Sequence, residues 1–143
     1  MVKDKKYVNP PVDEIDGILD NNRVIAVVGL SSKPDRPSYL VASYLKRKGY
    51  RVIPVNPKET EILGEKAYSY LGEIPHKVDI VNIFRKSECV SPIVEDAVKI
   101  GAKVLWMQEG VVNHEAAFRA SRSGMMVLMD KCIAAELRRH LSI

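Results

Sequence analysis

The chain has 143 residues, 46% of them apolar, the length and composition of one globular domain, which is expected to fill residues 1–143 and leaves little room for a separate catalytic or oligomerisation domain. Lys and Arg number 22 against 18 Asp and Glu, a formal +4 that suits an anionic ligand but is too small for the charge footprint of a nucleic-acid surface. No apolar run approaches the roughly 20 residues of a membrane span. Met1 to Asn9 is polar and not signal-like, and Cys89 and Cys132 are the only thiols, so the expected setting is reducing and cytoplasmic, with neither a membrane nor a nucleic acid as partner.

Pro10 and Pro11 lead into a short amphipathic segment carrying Val12, Ile15, Ile18 and Leu19 on one side. From Arg23 onward, short β-branched runs alternate with longer amphipathic stretches, the change of period that marks successive βα units. The runs are Val24 to Val28, Val52 to Val55, Val78 to Phe84, Val104 to Met107 and Met125 to Met129, apolar enough to be covered on both faces. Only the third carries polar residues, Asp79 and Asn82, placed to sit at its start or to reach a neighbouring loop. Between the runs, Leu40, Val41, Tyr44 and Leu45 mark one helical stripe, and Val90, Ile93, Val94, Ala97 and Val98 another. Gly49, Gly101 and Gly124 each follow a helical stretch and precede a strand, as helix-ending residues do. Tyr68 to Pro75 reads as irregular, and Cys132 to Leu141 as a closing helix with Ile133, Leu137 and Leu141 inward. The pattern predicts an α/β fold of three layers around a doubly wound, parallel, five-stranded, Rossmann-like sheet, in the order 3-2-1-4-5.

In such a sheet ligands bind beyond the C-terminal strand ends, so the segments after each strand are the candidate walls. The first, Gly29 to Ser38, offers a Gly for close approach, the hydroxyls of Ser31 and Ser38, the cations Lys33 and Arg36, and Pro37 at a helix start. Orphan N–H groups and the positive dipole end of that helix suit a phosphate. Gly29 stands alone, without the Gly-x-Gly-x-x-Gly fingerprint or a P-loop, which weakens NAD binding and nucleotide hydrolysis. Where an NAD site places an acidic residue the chain has Asn56, followed by Pro57 and Lys58, which tolerate a phosphorylated ribose better than a bare one. Residues 31–60 hold seven cations against two carboxylates, but Lys46, Arg47 and Lys48 complement the far end of their helix.

These segments resemble those of small CoA-binding proteins with a Rossmann-like domain, related to the N-terminal domain of the succinyl-CoA synthetase α subunit. The resemblance covers about Asp13 to His140 and rests on Val27-Val28-Gly29-Leu30-Ser31, Val52 to Pro57, Asp79 to Glu88, Leu105 to Val111 and Met129 to Cys132, in that order. It implies coenzyme A or an acyl-CoA across the strand ends. The diphosphate would lie near Gly29, Leu30, Ser31, Lys33, Arg36, Pro37 and Ser38, and the adenosine 3′-phosphate near Asn56, Pro57 and Lys58. The pantetheine arm would pass Phe84, Arg85, Gln108, Glu109 and Gly110. Lys131 stands where the family commonly has Arg and is left out of the site, because a Lys cannot make the same planar bidentate contact.

The expectation is a binding module of regulatory or carrier type, with no catalytic residue and no metal ligand assigned. The alternatives are an NADP-dependent or acyl-CoA-utilising enzyme, and a subunit completing an acyl-CoA synthetase in trans. A homo-oligomer or a synthetase partner fits the same resemblance. His76, His114 and His140 share no metal-ligand spacing and read as surface or capping residues. Cys132 opens a helix on the ligand side, where a thiolate is favoured; a mixed disulfide with CoA and a plain packing role are both open to it.

Overall fold

The computed structural model describes residues 5–142. Its strands are β1 (Val24–Val28), β2 (Arg51–Val55), β3 (Glu61–Ile62), β4 (Glu65–Lys66), β5 (Ile80–Ile83), β6 (Val104–Met107) and β7 (Met126–Leu128). The five long runs of the sequence form one parallel sheet, and β3 and β4 a small antiparallel ribbon that the sequence reading did not anticipate. The helices are α1 (Val12–Asn21), α2 (Pro37–Arg47), α3 (Val90–Lys99), α4 (His114–Arg122) and α5 (Ile133–Leu141). None of these is long and apolar enough to cross a membrane.

Alternate residues of each strand feed opposite layers. Ile25, Val27, Val52, Trp106 and Leu128 pack under α1, α2 and α5, while Ala26, Val28, Val81, Ile83 and Leu105 pack under α3 and α4. Every residue of β5 and β6 is buried, as a sheet covered on both faces requires. Each fully buried Leu or Ile contributes about 1.5–3 kcal/mol. The predicted stripes supply these contacts with their middles and leave their ends in water: Val12, Leu40, Val98 and Leu141 are exposed. In α2 the buried face is Ser38, Val41, Ala42 and Leu45.

The sheet is doubly wound, but its order is β2-β1-β5-β6-β7, so the third long strand lies beside the first and not outside the second as 3-2-1-4-5 requires. Two local contacts, each of two hydrogen bonds, go with the difference. The outer edge of β2 is already taken, since Tyr68 N–H donates to Pro54 O (3.0 Å) and Asn56 N–H to Tyr68 O (2.8 Å). Asp79 fastens the start of β5 to the start of β1, its Oδ2 accepting from Arg23 and Val24 N–H (3.1 Å each).

The opposite edge, β7, is covered by the N-terminal strap. Asn9 imitates a strand by pairing both ways with Met129, donating to its O and accepting from its N–H (2.8 Å each), and Tyr7 Oη–H donates to Val127 O (2.7 Å). Both sheet edges are thus closed to further pairing by side chains or a single bridge.

Candidate functional site

The chain passes from one face of the sheet to the other between β1 and β5, which places the topological switch point beside Gly29. Gly29 has φ +89°, and a β-carbon there would stand 2.4 Å from Phe84 O and 3.0 Å from Arg85 Cδ. The group that demands a glycine is therefore the neighbouring main chain, which draws the two loops together.

On the α2 side lies a cavity of about 410 Å³ lined by Gly29, Ser31, Lys33, Arg36, Pro37, Ser38 and Phe84. All seven are predicted site residues. Ser38 Oγ is turned inward and accepts from Ser31 N–H (3.0 Å), and Ser31 Oγ accepts from Lys33 N–H (3.1 Å), so the hydroxyls wind the loop. Pro37 has no N–H to satisfy, and the N–H groups of Ser38 and Tyr39 have no protein acceptor among the described residues. Lys33 and Arg36 are exposed, and neither pairs with a carboxylate among the described residues. Free N–H groups at the start of an 11-residue helix, beside two cations that make no ion pair, are donors of the kind that an anion takes. Leu30 differs from its predicted role: its side chain is fully buried in the core, and only its carbonyl faces the loop, where it accepts from Asn56 Nδ2 (2.9 Å).

Across the ridge is a second cavity of about 450 Å³, on the α3 side, with Val28, Val55, Pro57, Tyr70, Arg85 and Ile93 among its walls. Consecutive residues thus face different cavities, Phe84 the first and Arg85 the second. Glu88 and Asp96 add carboxylates to this mostly apolar wall, beside the Arg85 cation and the Ser69 hydroxyl. Apart from Pro57 and Arg85, the sequence reading missed this cavity, because its walls come from the Tyr68 to Pro75 segment and the first turns of α3. The stripe position of Ile93 was the one available signal. Asn56 and Lys58 flank the wall residue Pro57 in the chain but line neither cavity: Asn56 Oδ1 accepts from Lys58 N–H (2.9 Å), and both amide ends of Asn56 are committed to the protein.

Gln108, Glu109 and Gly110 follow β6, two strands from β1, or roughly 10 Å away at ordinary strand spacing. They line neither cavity. Gln108 is mostly buried, its Oε1 accepting from Asn82 Nδ2 and from Ile133 N–H at the start of α5 (3.3 Å each). Glu109 and Gly110 are exposed, and Gly110 N–H donates to Asp130 Oδ1 (2.7 Å). Cys132 caps α5 half-buried, packed against the α2-side core, and Cys89 lines the second cavity; both are unbridged. Among the described residues no three His, Cys, Asp or Glu side chains gather as a metal site would.

The family profile described as CoA binding domain matches residues 23–138, spanning the sheet and both cavities. The chain belongs to that family. Among its relatives, the Bacillus subtilis (strain 168) protein YneT is 46% identical over 125 residues, 87% of this chain and 93% of that one. A solved structure of a Pyrococcus horikoshii OT3 protein matches with a TM-score of 0.91 at 38% identity, covering 99% of both chains. The CoA binding domain is also similar to part of a larger protein, the acetate-CoA ligase (ADP-forming) II subunit alpha of Pyrococcus furiosus. The two are 38% identical over 84 residues, which cover 58% of this chain and only 18% of that subunit.

Proposed function

We propose that the protein binds coenzyme A or an acyl-CoA across the C-terminal strand ends and acts as a non-catalytic module of regulatory or carrier type. The observation that carries this reading is the first cavity, where Lys33, Arg36 and Ser38 with its free N–H share one wall and no carboxylate is among the lining residues. That donor set fits a diphosphate, which takes charge-assisted hydrogen bonds on several oxygens at once.

The second cavity adjoins it through the Phe84–Arg85 step and is mostly apolar, with Arg85 and the carboxylates of Glu88 and Asp96 among its walls, which fits the adenine end of the same molecule. Lys58, next in the chain to the wall residue Pro57, would meet the 3′-phosphate. The arm would leave in the other direction, over β5 toward Gln108, Glu109 and Gly110. A reducing, cytoplasmic setting goes with the two unbridged thiols. Thermal unfolding tests the reading: CoA at a hundred times its dissociation constant stabilises by about 2.7 kcal/mol, a rise in Tm of roughly 6–10 °C. No shift at millimolar CoA would reject it.

The ligase match favours a second reading, in which the module lends its CoA site to an acyl-CoA synthetase in trans. Copurification of a synthetase subunit from cells of the source organism would support it, and a homogeneous monomer or homodimer would count against it.

A further inference from the structure

Asn82 is the most enclosed polar side chain of the sheet, at zero exposure in the middle of β5. Its Nδ2 donates to Trp106 O and to Gln108 Oε1 (3.3 Å each). The orientation of both amides is fixed by main-chain groups that have only one role. A carbonyl such as Trp106 O can only accept, so the Asn82 atom facing it is nitrogen. The Ile133 N–H can only donate, so the Gln108 atom facing it is oxygen. The two side chains then agree with one another.

One end of Gln108 is thereby spent on the protein, and the other is not. Nε2 has no partner among the described residues, and it is not one of the enclosed unpaired atoms, whereas Asn82 Oδ1 is. An isosteric leucine at position 82 would pack the same space with no orphaned oxygen. What only an amide supplies there is the pair of donor bonds to Trp106 and Gln108.

We propose that Asn82 is a positioning residue that holds Gln108 with its Nε2 hydrogens presented at the C-terminal edge of β6, making this end of the site selective for a carbonyl acceptor on the ligand arm. The inference rests on the CoA reading and deepens it. CoA offers such acceptors in the two amides of its pantetheine arm, and an acyl-CoA adds a thioester carbonyl.

Equilibrium dialysis of the full chain with three ligands tests it: CoA, acetyl-CoA, and adenosine 3′-phosphate 5′-diphosphate, which is CoA without its arm. Gln108→Glu keeps the shape and the two accepted bonds but removes the donors. It is expected to weaken acetyl-CoA about tenfold, with CoA weakened equally where the acceptor is an arm amide, and to leave the armless nucleotide unchanged. A loss shared by CoA and acetyl-CoA assigns the donor to an arm amide, and a loss confined to acetyl-CoA assigns it to the thioester. Asn82→Leu should show the same selectivity at about threefold, because Ile133 still holds Oε1, whereas a purely structural role would weaken all three ligands together. Equal effects on the armless nucleotide, or none on CoA and acetyl-CoA, would overturn the inference while leaving the CoA reading intact. A wild-type chain that binds none of the three would overturn both.

Discussion

Gly29 and Phe84 meet so closely that the missing β-carbon of the first would stand 2.4 Å from the carbonyl oxygen of the second. This contact sits at the switch point and sets the spacing between the two cavities. Gly29→Ala therefore combines a disfavoured φ of +89° with a clash against main chain that has no rotamer to escape into. The backbone conformation alone costs about 1–3 kcal/mol, so Tm should fall by roughly 5–10 °C. Ligand affinity should fall further than stability does, because the loops separate. Calorimetric unfolding and a CoA titration on the same variant check both.

The cations of the two cavities should matter and those at the far end of α2 should not. Arg36→Ala and Arg85→Ala each remove a cation from a cavity wall and are expected to weaken CoA about tenfold, as loss of a charge-assisted hydrogen bond does. Arg47, stacked near Tyr44 in the last turn of α2, should be silent when replaced by Ala. Unchanged affinity in the first two variants would move the site elsewhere.

Acid stability should depend on a pair far from the site. Arg139 donates a hydrogen bond to Asp16 (2.7 Å), tying α5 to α1, and this bond, followed by the charges of Arg139 and His140, holds the Asp16 carboxyl below its ordinary value of 3.8. A carboxyl lowered by folding contributes stability that is complete above its unfolded value and is lost as pH falls below 3.8 toward the folded value. Asp16→Asn should leave the acid limb of the stability curve shallower. A limb of unchanged steepness would show that the pair carries no linkage.

Asn9→Ala should unzip the strap from β7 by removing both bonds to Met129. The expected loss is about 1–2 kcal/mol. Hydrogen exchange reads it most directly, as faster exchange of the Met129 amide with the amides of β5 and β6 unaffected.

The fold class was legible because it is written in periodicities: the long strands stand where the β-branched runs are, and Gly49, Gly101 and Gly124 all take positive φ where a helix must stop. The strand order is marked by one residue of the sequence. Pro54 lies in β2, and since its carbonyl bonds Tyr68 on the outer side, its missing N–H points that way too, which marks β2 as an edge strand and excludes an order with β2 inside. Within the site, the segment after β1 could be read from sequence because helix start, hydroxyls and cations are adjacent in the chain. The second cavity could not, because Tyr70, Pro57 and Ile93 meet only through the fold. Leu30 was read for its neighbours, and its side chain follows the core instead. Gln108, the only glutamine of the chain, could be placed after a strand, but its commitment to Asn82 and Ile133 depends on contacts 26 and 25 residues away.

Whether this edge of the sheet holds CoA is decided by calorimetric titration of the reduced protein with CoA, dephospho-CoA, NADP and NAD at one ionic strength. The expected result is tight one-to-one binding of CoA, weaker binding of dephospho-CoA, which lacks the phosphate that Lys58 would meet, and weaker binding still of both nicotinamide cofactors. A preference for NADP, or heat from none of the four, would contradict it.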